Sequence, residues 1–72
     1  MVDGDISERL IHTAYAARLL GVSDAWLARE RWKGTGPAFI RVGGPRGRAV
    51  RYRLRDLYAW IDANRRPPGK VA

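Results

Sequence analysis

The sequence predicts a small α+β domain with elements in the order helix, helix, strand, strand, helix. Three observations carry that prediction. Two runs of helical periodicity are separated by a short glycine-containing turn, "LLGVSDAWL". Two stretches then alternate like strands, "FIRV" and "VRYR", joined by the glycine- and arginine-rich "GGPRGRA". A last run, "LRDLYAWIDAN", repeats large apolar residues at helical spacing.

Residues 1 to about 10 are polar and read as a lead-in, which leaves residues 11–65 as the domain and 66–72 as a flexible tail. In "IHTAYAARLLGVS", Ala16, Ala17 and Leu20 recur with Thr13 on one helical face. Gly21 supplies a left-handed stop. At the start, Thr13 is a better chemical cap than His12, because its hydroxyl can accept an orphan backbone N–H. Ser23 is a strong N-cap for the second helix, "DAWLARERWK", with Asp24 favourable in its first turn. "GTGP" ends that helix.

In the hairpin, alternation places Ile40 and Val42 inward with Arg41 outward, and Val50 and Tyr52 inward with Arg51 and Arg53 outward. The third helix, roughly Leu54 to Asn64, buries Leu57, Trp60 and Ile61 as a stripe. Arg65 and Arg66 at its end complement the helix dipole, and "PPGK" terminates it.

Composition narrows the function. Seventy-two residues make one domain with a marginal core. There is no cysteine, so neither disulfides nor thiolate zinc can staple it. No apolar run reaches the roughly 18 residues of a membrane span, and the acidic, polar start does not read as a secretory signal. The expectation is a cytoplasmic protein.

The net charge of +7 is concentrated. Residues 29–55 hold nine basic side chains against one acid, Glu30, so these 27 residues carry +8 and the other 45 carry −1. Such a patch is a polyanion-binding footprint. Arginine outnumbers lysine twelve to two, which suits bidentate contacts to phosphate and guanine.

No catalytic constellation emerges. His12 is the only histidine and has no cysteine or carboxylate cluster beside it. "GGPRGRA" lacks the Gly-Lys-Ser/Thr ending of a phosphate-binding loop, and "GTGP" lacks the third glycine of a dinucleotide fingerprint. The expectation is a protein with no enzymatic activity, no cofactor, no metal and no small-molecule substrate.

The element order is that of a winged helix-turn-helix, in which the second helix enters the major groove and the hairpin tip touches backbone or minor groove. At about 100° per residue, Arg29 lies opposite Leu27, with Ala25 and Lys33 near it. These three residues are the recognition-helix candidates. Ser23 joins them as a backbone-phosphate contact, since helix N-termini attract anions. Arg46 and Arg48 are the wing candidates, because the surrounding glycines and proline give the backbone room to approach a groove. Arg41, Arg51 and Arg53 are weaker phosphate candidates. Arg31, nearer the core side of the helix, is weaker still. Trp26 is expected to be half-buried, and Trp32 either packs under the wing or contacts DNA or a partner.

Several stretches together resemble the small winged-helix proteins of the MerR-like superfamily, chiefly phage and plasmid excisionases (recombination directionality factors) and AlpA-like regulators. They are "AARLLGVS", Leu27 four residues after Ser23, "GTGP", "FIRVGG" and "VRYRLRDLYAWI". The resemblance spans about residues 10–64. The sequence departs from that pattern at His12, where the family commonly has a capping Ser or Thr, and at Glu30, commonly a tryptophan; Trp26 and Trp32 stand where polar or basic residues are usual.

What the resemblance implies is a double-stranded-DNA-binding protein that binds cooperatively with further copies of itself beside a prophage attachment site. It would bend the DNA and direct a phage integrase toward excision in a bacterial host. An AlpA-like transcription regulator with the same fold is the alternative. An RNA-binding module is a third reading, disfavoured because the aromatics fall mostly on buried stripes rather than on one exposed sheet face.

Overall fold

The computed structural model describes residues 5–68. A short 3₁₀ turn at Ile6–Glu8 leads into β1 (Leu10–His12), α1 (Thr13–Leu20) and α2 (Asp24–Lys33). Strands β2 (Ile40–Val42) and β3 (Ala49–Arg53) form the wing hairpin, and α3 (Leu54–Ala63) follows β3 directly. The three strands make one antiparallel sheet in the order β1-β3-β2, an arrangement consistent with a winged helix-turn-helix. The flexible tail expected over 66–72 falls in part outside the described residues, as does the beginning of the lead-in.

The turn between the first two helices forms as its residues dictate. Gly21 takes φ 75°, and its N–H and that of Val22 close the end of α1 on the Ala17 and Arg18 carbonyls. Two residues later the Ser23 hydroxyl accepts the Trp26 N–H at 3.0 Å and starts α2. Gly34, at φ 78°, ends α2 in the same left-handed manner.

The core is one cluster of Ile11, Ala16, Ala17, Leu27, Val50, Tyr52, Leu54 and Leu57, with Leu20, Val22, Trp26 and Phe39 packed against it. Leu27 is the sole buried residue of α2 and is fully enclosed, as are Tyr52 and Leu57. Each such side chain contributes roughly 1.5–3 kcal/mol of apolar burial. The two alanines of α1 let the helices approach closely.

Four expectations need correction. Leu10–His12 is a strand, not lead-in and helix: Leu10, Ile11 and His12 pair with Arg53, Tyr52 and Arg51 of β3. Three residues are too few to show a period of two, and their conformation comes from a partner some forty positions away. His12 consequently occupies the N-cap of α1 without a side-chain cap bond, and Thr13 is the first helical residue.

The β2 faces are reversed. Arg41 pairs with Val50, and Val42 pairs with Ala49. Opposed residues share a face, so Arg41 projects on the core side while Ile40 and Val42 lie on the outer side, Val42 being 46% exposed. The cause is Phe39. Its ring packs against Tyr52 with centroids 6.3 Å apart, and that larger burial sets the parity of the strand.

In α3 the buried residues are Leu54 and Leu57, both in its first four positions. Ile61 is exposed, and Trp60 is half-buried outside the core cluster. The helix is anchored by its start, where it leaves β3 and where the Leu54 N–H donates to the Arg9 carbonyl at 2.9 Å. Glu8 adds an exposed ion pair to Arg55 at 3.0 Å and a longer one to Arg53 at 3.8 Å.

Candidate nucleic-acid interface

Because Leu27 is the buried residue of α2, with Trp26 packed against the core and Arg31 bonded to Tyr52, the helix presents the side opposite Leu27 to solvent. Residues at i, i+4 and i+7 share a face, which sets Ala25, Arg29 and Trp32 in one exposed stripe. Ala25 keeps the N-terminal end of that stripe narrow, so the helix backbone there can approach another surface. Arg29 makes no hydrogen bond or ion pair among the described residues. Ser23 is exposed, its hydroxyl spent on the cap.

Lys33 sits at the helix end with its ammonium 3.3 Å from Glu30 Oε2. The other Glu30 oxygen accepts the Thr35 hydroxyl at 2.5 Å. That hydrogen bond first, then the Lys33 ammonium and the Arg29 charge, hold the Glu30 carboxyl below its ordinary range. The one acid of the basic segment is thus turned away from the Arg29 stripe and used to lock the end of α2, where the Thr35 N–H also donates to the Glu30 carbonyl.

The wing departs from β2 through Gly43 and Gly44, at φ 98° and 79°, which no side chain adopts cheaply, and turns once as a 3₁₀ helix over Gly44–Arg46. Gly47 closes the turn against β2. A Cβ there would lie 1.9 Å from the Val42 carbonyl oxygen, so only glycine fits. Arg46 and Arg48 flank it, both exposed and without an intramolecular partner among the described residues. Arg41 is braced at the wing base: one guanidinium nitrogen donates to the Gly47 carbonyl at 3.4 Å, and its carbon stands 5.7 Å from the Phe39 ring centre.

The remaining arginines are differently placed. Arg31 turns inward, donating to the Tyr52 hydroxyl at 3.0 Å and to the Thr13 hydroxyl at 3.4 Å, with its guanidinium carbon 5.8 Å from the Phe39 centre. Arg51 lies on the outer sheet face and donates to the Val50 carbonyl at 2.9 Å. Arg53 shares that face and has Glu8 beside it. The interface candidates therefore separate into two groups. Arg41 and Arg48 line the gap between α2 and the wing, with Arg29 on the exposed stripe of α2 and Arg46 on the exposed wing turn, while Arg51 and Arg53 lie on the outer face of the sheet.

The signal for Arg41 was present in the sequence as the parity it shares with Phe39. Trp32, also in the Arg29 stripe, is almost fully exposed.

The family model described as a helix-turn-helix domain matches residues 10–65. The chain belongs to that family. Among curated proteins none matches it with significance. Membership of the helix-turn-helix family supports sequence-specific DNA binding by this chain, and α1, the Gly21–Val22 turn and α2 form the helix-turn-helix within the matched residues. Among the described residues, no helix of this domain is long and apolar enough to cross a membrane, and no group of histidines and carboxylates is arranged to hold a metal ion.

Proposed function

We infer that this helix-turn-helix protein is a non-enzymatic architectural DNA-binding protein of the excisionase type. It lays α2 in the major groove and the wing along the adjoining backbone or minor groove. The observation that carries the reading is the one-sided burial of α2. Leu27 faces the core, the Ala25–Arg29–Trp32 stripe faces out, and Arg46 and Arg48, without partners among the described residues, extend from the wing. Arg29 reads base edges or phosphate; Arg46 and Arg48 anchor the wing.

The resemblance in "AARLLGVS" and "VRYRLRDLYAWI" supports the finer assignment. Copies bind neighbouring sites beside an attachment site, curve the DNA and favour excision by a partner integrase in the bacterial cytoplasm. A nuclease footprint over the host element's attachment region tests this. Several adjacent direct repeats are expected, and protection of a single promoter operator alone assigns transcription regulation instead. With about six phosphate contacts, log affinity falls against log salt with a slope near −5, and a slope near zero refutes the electrostatic reading.

A further inference from the structure

Trp32 is 88% exposed, the most exposed large apolar side chain among the described residues. A side chain of this kind buries roughly 150–250 Å² when a core takes it in, and a domain this small gains from every such burial. Trp32 has no such packing. On α2 it stands about 140° from Leu27, beside Arg29 in the exposed stripe.

Toward the wing, Trp32 borders a cleft of about 480 Å³ lined also by Ala28, Arg31, Arg41, Arg48 and Val50. Ala28 and Val50 bring small apolar surface to it, and the Arg31 guanidinium is committed to Tyr52. Two exposed cations therefore share the cleft with one flat apolar ring. Arg41 is held in place by Gly47 and Phe39, whereas Arg48 has no partner among the described residues.

A DNA strand offers the complementary pair of chemistries in alternation: an anionic phosphate, then the apolar face of a deoxyribose. An acidic peptide would satisfy the charges. The cleft, however, lies between the two elements that a winged helix-turn-helix sets against DNA, which favours the strand. Resting on the DNA-binding reading above, we propose that the cleft between α2 and the wing seats one strand of duplex DNA. Arg41 and Arg48 hold a phosphate, and Trp32 packs flat on the adjoining sugar.

The contact is apolar and sequence-independent, so a mixed-sequence duplex of about three helical turns serves as probe. Affinity is measured by anisotropy of a dye on that duplex, across a salt series. Covering about 50 Å² of the indole predicts that Trp32→Ala weakens binding about tenfold, while Trp32→Phe retains most of the affinity. The salt slope stays unchanged in both. Arg41→Ala and Arg48→Ala each reduce the slope by about 1. Tryptophan emission shifts on duplex addition in the parent protein and not in Trp32→Phe, where half-buried Trp26 and Trp60 remain. Thermal melting of each variant verifies its fold.

Replacing every thymine by uracil distinguishes sugar from base methyl. The Trp32 contribution is expected to persist, and its loss overturns the assignment to sugar. If the parent binds the duplex while Trp32→Ala binds equally well and the emission is silent, the cleft stays off the DNA and this proposal alone falls. If the parent binds no duplex at any salt, the DNA-binding reading falls with it.

Discussion

Arg31 separates an arginine that builds the fold from one that reads DNA, and replacing it distinguishes the two roles. Its hydrogen bond to the Tyr52 hydroxyl uses a charged donor toward a fully buried residue, worth about 1.5–3 kcal/mol. The Phe39 ring near its guanidinium adds roughly 0.5–1 kcal/mol, and the weaker Thr13 contact adds little. Arg31→Ala is therefore expected to cost about 3 kcal/mol, a large share of the roughly 5 kcal/mol a small domain has. At about 4–8 °C per kcal/mol, Tm falls by roughly 12–24 °C. Urea titration and thermal melting measure this directly. In a Tyr52→Phe background the same substitution should cost about 1–2 kcal/mol less, because the shared bond is already gone. At temperatures where the variant is folded, the salt dependence of duplex binding should match that of the parent. A melting point within about 2 °C of the parent, together with a salt slope smaller by about 1, would refute this reasoning and make Arg31 a phosphate contact.

Other expectations follow from the caps, the wing and the Glu30 carboxyl. Ser23→Ala removes the cap on Trp26 N–H and should lower stability by about 1 kcal/mol, read by urea unfolding. Gly47→Ala drives a methyl into the Val42 carbonyl and should cost about 1–3 kcal/mol; a shallower salt slope is expected as Arg46 and Arg48 lose their placement. Glu30 titrates below its ordinary range when folded, so its contribution to stability is fully present above the unfolded carboxylate value. That contribution is lost as pH falls through the lower folded value. Thr35→Val should move the Glu30 titration back toward the ordinary range, as read from its carboxyl carbon shift by NMR.

Where local chemistry decides, the sequence was legible. Gly21, Ser23 and Gly34 act through their own backbone or hydroxyl, and the boundaries they set for α1 and α2 appear as expected. Angular spacing set Arg29 opposite Leu27 but did not itself turn Leu27 inward, and the structure supplies that step by burying Leu27. What escaped depended on distant partners. β1 has no signal of its own and exists because β3 offers it an edge. The faces of β2 hinged on two competing apolar sets, Phe39 against Ile40 and Val42, and only the presence of Tyr52 opposite Phe39 decides between them. Ile61 fits the helical stripe, but α3 is buried only near its start. Among the candidate contacts, Arg41 passes from the outer sheet face to the cleft for the same reason that β2 was misread.

The pairing of β1 with β3 also governs the order in which the molecule can assemble. Leu10 meets Arg53 across 43 positions of sequence, and closing a loop of that length costs roughly 3 kcal/mol of chain entropy. Both helices of the DNA-binding unit lie inside that loop. During synthesis, residues 10–12 must wait until β3 has emerged before they have anything to pair with. The helix-turn-helix can thus form local turns early, but it is clasped into its final geometry only when β3 arrives. A cut or an inserted segment just before α1 would act on the sheet that supports the wing rather than on a dispensable arm.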